Sequence, residues 1–297
     1  MSTRKKKNQI VWGADPEFFA VYRNGDDVFA LPPVFFRTDL KVPFKDNGSH
    51  PIFKKYNKTI IHEDGVAFEM STPPSTDWKE IWHNIETAKK KFSSDVLSKF
   101  GDFCEPELAS LPTVGYDVAR WEHRGMDFDM CTQFGCDPDQ DAYNTETRGQ
   151  IVNAKYHPER YAGGHIHISG IREIEKSPLM AIRSLMLTAG LAATAYSDVA
   201  DLEKRRVFLY GKPAKFRVQH YPDGQTGIEY RTVSTRWTAN FGLAERIFYW
   251  ADIGINYLLR GGLLGSLIKA ESEARSAIAD CDQESAIGIL SYIESKL

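Results

Sequence analysis

Both common glycine-rich signatures for phosphate binding are absent from this 297-residue sequence. It contains neither the GxxxxGK[ST] pattern of P-loop proteins nor the GxGxxG pattern of dinucleotide-binding folds. Any nucleotide would therefore have to be held by metal ions and basic side chains.

Cysteine is scarce, and its spacing does not suit zinc. The four cysteines form no CxxC pair, so the sequence argues against a structural zinc site. So few cysteines are typical of a protein in a reducing compartment. They are Cys104, Cys131, Cys136 and Cys281.

The sequence also lacks a strong net charge and a membrane-spanning apolar run. The net charge of −3 gives no support for a nucleic-acid-binding surface. The basic residues 1–8 precede no apolar segment, so they predict a disordered tail and not a signal peptide. The apolar stretch Leu179–Tyr196 contains Arg183 and several small polar residues, which favours a buried helix. We expect a cytoplasmic protein with one domain over residues 9–297, which binds neither nucleic acid nor membrane.

One segment alternates strictly between polar and apolar residues: Gly163–Gly170. In a strand, His165, His167 and Ser169 would share one face. Two histidines about 7 Å apart on a sheet face form a candidate platform for a metal or phosphate. The alternative is an amphipathic strand with solvated histidines.

Acidic residues enter three other strand-like segments. Asp15 and Glu17 are two residues apart at the start of an apolar run, Glu69 lies within one, and Glu229 shares a strand face with Arg231. A carboxylate in an apolar strand is costly unless it is paired or binds a cation. The alternatives are a turn for the first pair, an edge strand for Glu69, and a structural ion pair for Glu229 with Arg231.

Several other segments carry structural expectations. Asp77 and Glu80 predict the start of a helix that ends at Gly101. The runs Lys89–Lys91 and Asp201–Arg206 indicate solvated faces. Residues 240–297 are helical in pattern, with Glu271–Leu297 as one amphipathic helix that covers the sheet or a partner chain. Residues 45–58 are expected to form a loop or a long hairpin that could act as a lid. The acids of 134–143 are expected to form turns, which could also line a substrate entrance.

Together these groups suit metal-dependent phosphoryl transfer. Hard divalent cations prefer carboxylate oxygens, and Mg²⁺ usually binds through few carboxylates together with substrate phosphates. Several acids with one or two imidazoles and an arginine fit a site with two or three metal ions.

Four motifs in order resemble the phage-type amidoligases, which are type 2 carboxylate–amine ligases grouped with glutamate–cysteine ligase and glutamine synthetase. The resemblance covers roughly residues 9–240. The motifs are GADPEF (13–18), DGVAFEMS (64–71), GGHIHISG (163–170), and R…YGKP…FR (206–217) followed by EYRTVSTRW (229–237).

The resemblance implies an α+β fold, like the catalytic domain of glutamine synthetase. In that fold an antiparallel sheet forms a cradle, with helices on its outer face and the active site on its concave face. It also implies that ATP phosphorylates a carboxylate and that an amine attacks the acyl phosphate to give an amide or isopeptide bond. The substrates would be small molecules, peptides or proteins, and the setting the cytoplasm of a phage-infected bacterium. The chain could form a homo-oligomer.

The resemblance also implies roles for individual residues. The implied cofactors are ATP and two or three Mg²⁺ ions, with Mn²⁺ as a substitute. Asp15 replaces a glutamate of related ligases, and its shorter side chain would reach a metal through water. The implied metal ligands are Asp15, Glu17, Glu69, His165 and Glu229, the catalytic residues are Arg231 and His167, and the nucleotide-binding residues are Arg231, Arg217, Lys212 and Arg236.

Two other classes of function remain open. One is a hydrolase that holds a transition metal with His165, His167 and Glu69, although no HExxH spacing is present. The other is a non-enzymatic phage structural protein whose C-terminal helices serve assembly. If the ligase hypothesis holds, the polar groups face a solvent-filled cradle, and substitutions of Glu69, Glu229 or Arg231 leave folding intact.

Overall fold

The computed structural model describes residues 9–40, 52–103, 105, 107–122, 139–145, 154–221, 224–260 and 268–297. The predicted basic tail, residues 45–51 and residues 134–138 lie outside this set. In the other half of the segment 45–58, Ile52–Tyr56 is a strand that pairs antiparallel with Thr59–Asp64, which fits the hairpin alternative. Cys281 is the one cysteine within it.

The described residues form twelve strands and ten α-helices. The strands are β1 (Val11–Phe18), β2 (Ala20–Asn24), β3 (Asp27–Leu31), β4 (Ile52–Tyr56), β5 (Thr59–Asp64), β6 (Ala67–Ser71), β7 (Thr113–Gly115), β8 (Gln140–Asp141), β9 (Glu159–Tyr161), β10 (Gly164–Ser169), β11 (Lys215–His220) and β12 (Thr226–Tyr230). The helices are α1 (Pro33–Leu40), α2 (Trp78–Asp95), α3 (Val118–Glu122), α4 (Arg172–Lys176), α5 (Pro178–Leu185), α6 (Leu191–Ala195), α7 (Ala200–Leu209), α8 (Phe241–Leu259), α9 (Ile268–Asp280) and α10 (Gln283–Glu294).

The larger sheet has eight strands in the order β4-β5-β6-β1-β10-β12-β11-β8. Every pairing within it is antiparallel. The predicted strand at Gly163–Gly170 is confirmed as β10, which pairs with β1 from Val11↔Ser169 to Pro16↔Gly164. With its helices the chain is mixed α and β, which agrees with the expected α+β class.

A smaller sheet has the order β2-β3-β7-β9. Its β2–β3 hairpin turns at Gly25, whose positive φ of 64° glycine adopts without steric cost. β3 and β7 pair in parallel, whereas the other two pairings are antiparallel.

Helices α2 and α8 pack on one face of the large sheet, which we call the back face. Trp12 of β1 meets Phe248 of α8 edge to face at 5.4 Å between ring centroids, and Phe248 stacks on Trp78 of α2 at 5.2 Å. Burial of aromatic surface anchors both helices to the sheet.

The predicted start of α2 is confirmed, since the Asp77 side chain accepts a hydrogen bond from the Lys79 amide at 2.9 Å. Its predicted end at Gly101 is too late. α2 ends at Asp95, and a separate 3₁₀ segment, Leu97–Phe103, follows it. Gly101 lies within that segment with a positive φ of 51°, so it marks a kink beyond the helix.

The helix predicted from the apolar stretch 179–196 is confirmed as α5 and α6, joined by the π-helical turn Met186–Gly190. By length and composition Pro178–Ala195 could cross a membrane, but 72% of it is buried inside the protein. This is the pattern of a core helix.

The C-terminal tail contains two helices and not the single one predicted. Helix α9 ends at Asp280, and the next residue, Cys281, has a positive φ of 53°, which no helix continues through. α10 packs against α6, and the Gln283 side chain donates a hydrogen bond to the Ser197 carbonyl at 2.5 Å. The tail therefore covers the core helix and forms an outer layer.

Two predictions of solvated charge were wrong in part. Lys89 is only 8% exposed, although Lys90 beside it is open to solvent. In the segment 201–206, Glu203 and Arg206 are buried and paired at 3.1 Å. These side chains also have hydrogen-bond partners in distant segments, which local charge runs do not reveal.

Gly164 lies where β10 crosses close to the turn after β12. A Cβ atom there would overlap the Ser234 carbonyl and lie 2.6 Å from the Trp237 ring nitrogen. We predict that Gly164→Ala costs about 1–3 kcal/mol of unfolding free energy. A Cβ atom at Gly288 of α10 would have no neighbour within 4 Å among the described residues, so Gly288→Ala should stabilise the protein by about 0.5–1 kcal/mol. Urea denaturation of both variants checks this, and equal effects would contradict the packing described here.

Candidate active site

The strand register brings the predicted polar residues together on the face of the large sheet opposite α2 and α8, which we call the front face. Asp15 of β1 lies opposite His165 of β10, and His167 lies opposite Glu229 of β12. On the other side of β1, Glu17 lies opposite Glu69 of β6. Antiparallel neighbours of this kind have their side chains within contact distance.

The first cluster consists of Asp15, His167 and Glu229. Each offers one ligand atom, and these atoms all lie within 4.8 Å of one another. The His167 Nε2 is 2.9 Å from the Asp15 carboxylate. His165 lies at its edge, with Nδ1 3.4 Å from Asp15 and 3.3 Å from Glu229.

The second cluster consists of Glu17, Asp64 and Glu69, with ligand atoms again within 4.8 Å of one another. It is made of carboxylates alone. His62 approaches Glu69 at 2.8 Å, and the Gly163 amide donates to Glu17 at 2.6 Å. One buried oxygen of Asp64 has no hydrogen-bond partner among the described residues.

Tyr210, His165 and Arg231 connect the two clusters. The Tyr210 hydroxyl donates to Glu17 at 2.9 Å and lies 3.1 Å from the His165 Nε2. Arg231 donates to Tyr210 at 3.2 Å, to Glu229, and to Asp139 at 2.5 Å. One hydrogen-bonded chain thus runs from Glu17 to Glu229 across the front face.

Burial and neighbouring charges shift the pKa values of the clusters in opposite directions. In the second cluster, burial raises the pKa of Glu17, and burial together with the nearby acids raises that of Glu69 well above its ordinary value. In the first cluster, burial opposes ionisation, but His167 holds the pKa of Asp15 well below its usual range, and Arg231 lowers that of Glu229. Burial also opposes the charged form of His167, yet Asp15 raises its pKa.

The donor sets fit hard divalent cations. Carboxylate oxygens dominate both clusters, and one imidazole joins the first. A buried carboxylate oxygen without a partner, as at Asp64, is costly unless a cation or proton compensates it. Repulsion between the carboxylates of Glu17 and Glu69 likewise has to be compensated by a cation or a proton. The side chains that would hold cations are therefore Asp15, His167 and Glu229 in one cluster and Glu17, Asp64 and Glu69 in the other.

The expectation of a solvent-filled cradle is wrong for the most deeply buried of these side chains. Glu17, His165, Glu229 and Arg231 are each 1% exposed. Asp15 and Glu69 keep more contact with solvent, at 19% and 16% of their side-chain surface. Because Arg231 and Glu229 form a buried ion pair, substitutions there affect folding as well as chemistry.

Of the four predicted nucleotide-binding residues, Arg231 and Arg217 lie at the site and the other two do not. Arg217 lies beside it, with a guanidinium nitrogen 3.9 Å from Glu229. The Lys212 side chain is exposed and pairs with no residue of either cluster. Arg236 is directed elsewhere, since it forms a two-pronged ion pair with Asp198 at 2.5–2.7 Å. It lies in the 3₁₀ turn Thr235–Thr238, beyond the end of β12, so the strand does not carry it to the front face as the resemblance implies.

Several site residues were missed by the sequence reasoning. Asp64 was taken only as part of a turn, although alternation within β5 places His62 and Asp64 on one face. Tyr210 lies in the YGKP motif but was given no role, and the end of helix α7 carries it to the site. Asp139 is one of the acids of 134–143 that could line a substrate entrance, and its contact with Arg231 brings it to the site. The hydrolase triad of His165, His167 and Glu69 does not form a cluster, since His167 joins Asp15 and Glu229 instead.

Comparison with known proteins gives little further identification. No protein-family model matches the chain, and no curated protein sequence matches it. Among solved structures, a bifunctional glutathione synthetase from Pasteurella multocida matches at 10% identity and a TM-score of 0.37. That match covers 97% of this chain and 49% of the other, so the chain spans about half of that protein's length. A likeness at this TM-score carries no argument about fold or function.

We predict that Asp64→Asn weakens Mn²⁺ binding about 10- to 100-fold, because it removes one of three carboxylates from the second cluster. In metal-free buffer its unfolding free energy should be unchanged or higher, since the substitution relieves repulsion with Glu17 and Glu69. Electron paramagnetic resonance titration with Mn²⁺ measures the first effect, and urea denaturation with a chelator measures the second. Asp252→Asn, on the exposed side of α8, is the matched control. Equal Mn²⁺ affinity in both variants would contradict a ligand role for Asp64.

Proposed function

We propose that this protein is an ATP- and Mg²⁺-dependent carboxylate–amine ligase of the phage-type amidoligase kind. The observation that supports it most is the pair of acidic clusters on one sheet face, bridged by Tyr210, His165 and Arg231. Two cation sites held side by side in this way suit the transfer of a phosphoryl group.

The proposed reaction has two steps. A substrate carboxylate oxygen attacks the γ-phosphorus of ATP, the bond to the β-phosphate oxygen breaks, and an acyl phosphate and ADP result. An amine then attacks the acyl carbon, the carbon–oxygen bond breaks, and phosphate leaves as the amide forms. The amine loses its proton to solvent in the second step. The resemblance implies a catalytic role for His167, but in the first cluster its imidazole would be a cation ligand, so its lone pair would not be available as a base.

The chain's own groups divide into holding and positioning roles. Magnesium ions would supply positive charge next to the phosphates, and the two clusters would hold them. Arg231 offers the planar fork suited to phosphate. In this structure its nitrogens meet Glu229, Asp139 and Tyr210, so phosphate contact requires exchange of one of these partners. Arg217 at the rim is a second candidate for phosphate contact.

We propose that the carboxylate and amine substrates are small molecules, peptides or proteins. From the resemblance we also expect a homo-oligomer and a setting in a phage-infected bacterium. The hydrolase alternative has less support, because its ligand triad is not assembled.

We predict that the protein with ATP, Mg²⁺ and a pool of amino acids and peptides releases ADP and phosphate. Glu69→Gln should lower single-turnover ADP release about 10²- to 10³-fold, the usual cost of losing one group that stabilises a transition state. This variant is close in shape to the protonated acid favoured by the raised pKa of Glu69, so folding should survive.

The matched control is Glu80→Gln on helix α2, an exposed position where the carboxylate accepts a hydrogen bond from Ser75. It should release ADP at the wild-type rate. Absence of both nucleotide binding and ADP release in the wild-type protein, measured by calorimetry and by coupled assay with Mg²⁺, would overturn the proposed function.

A further inference from the structure

A polar cavity lies away from the two acidic clusters, and residues of β2, β3 and α2 line it. Its volume is about 350 Å³, within the range of small-molecule sites, about 300–1,000 Å³. Lys89 of α2 lines it and lies 5.2 Å from the Phe18 ring centroid. Phe18 follows Glu17 in β1 and therefore points to the opposite face. No residue of the two acidic clusters lines the cavity, so it is separate from the candidate active site.

Lys89 is the buried charged residue among those described that line this cavity. Its ammonium donates to the Ser110 hydroxyl at 2.8 Å and to the Thr238 carbonyl at 3.5 Å. No carboxylate of the described residues lies within ion-pair distance of it. Burial lowers the pKa of Lys89, and the carboxylates of Glu86 and Glu107 offset only part of that effect. An ammonium has three donors, so one remains to be satisfied.

The other charges that line the cavity largely cancel in pairs. Arg23 pairs with Glu105 at 2.5 Å, Glu86 pairs with Lys90 at 2.9 Å, and Arg236 pairs with Asp198. What remains in the described residues is one buried cation, Lys89, and one exposed acid, Glu107. A ligand that complements both charges carries an anion at one end and a cation at the other.

We propose that this cavity binds a free α-amino acid, with the carboxylate at Lys89 and the ammonium toward Glu107. The carboxylate takes the unused donor of Lys89 and neutralises its buried charge. Ion pairing of both ends favours a zwitterion over a simple carboxylate or a simple amine. This site is separate from the proposed ligase site and does not depend on that activity.

The test is calorimetric titration of the full chain, without ATP, with L-alanine, acetate and methylammonium as separate probes. We expect saturable L-alanine binding, and binding of acetate or methylammonium that is weaker by about tenfold or more. Lys89→Met should weaken L-alanine binding by about tenfold or more, whereas Lys91→Met, two residues along and exposed, should leave it unchanged.

The substitution Glu107→Gln tests the contact with the ammonium end of the ligand separately from the contact with its carboxylate. Glu107 is exposed, so folding should be unaffected, and the substitution should weaken L-alanine binding while leaving acetate binding unchanged. Thermal unfolding of each variant checks the fold, and Glu107→Gln decides the matter if Lys89→Met does not fold. The proposal is overturned by absence of saturable L-alanine binding to the wild-type protein. It is equally overturned if a folded Lys89→Met, or Glu107→Gln, binds L-alanine at wild-type strength.

Discussion

The burial of like charges on one face of the large sheet is the constraint on which the rest of the structure depends. Asp15, Glu17, Asp64, Glu69 and Glu229 come together there, and an isolated buried carboxylate is very costly. Arg231 and the histidines compensate the first cluster. The second has only hydrogen-bonding neighbours and His62, and burial together with nearby acids raises the pKa of Glu17 and Glu69. A bound cation at the second cluster would remove this cost, which is why the metal hypothesis agrees with the electrostatics.

The remaining architecture fixes this arrangement in place. Antiparallel register between β1, β6, β10 and β12 sets which acids and histidines lie side by side. On the back face, the contacts of Trp12 and Trp78 with Phe248 hold α2 and α8 against the same strands. Glycine at 163 lets the backbone amide reach Glu17, because a Cβ there would overlap the His165 ring. Packing on the back face and the polar clusters on the front face therefore constrain the same strands.

Period-two alternation made the main site strands predictable. It identified the strand with His165 and His167 and the acids of three neighbouring segments, and the cap at Asp77 identified the start of α2. What it could not give was pairing across the chain. Lys89 looks solvated in a lysine run, but Ser110 and Thr238 enclose its ammonium. Asp64 looks like a turn former, and Arg236 lies in a motif whose resemblance implies nucleotide binding. Only the tertiary fold shows that Asp64 joins Glu17 and Glu69 and that Arg236 turns to Asp198.

The most direct test is a crystal structure with Mn²⁺ and a non-hydrolysable ATP analogue, in which anomalous scattering locates the manganese. We predict anomalous peaks at both clusters, one among Asp15, His167 and Glu229 and one among Glu17, Asp64 and Glu69, with the triphosphate on the front face next to them. Manganese absent from both clusters, or a triphosphate bound on another face of the sheet, would contradict the metal-dependent site proposed for this face.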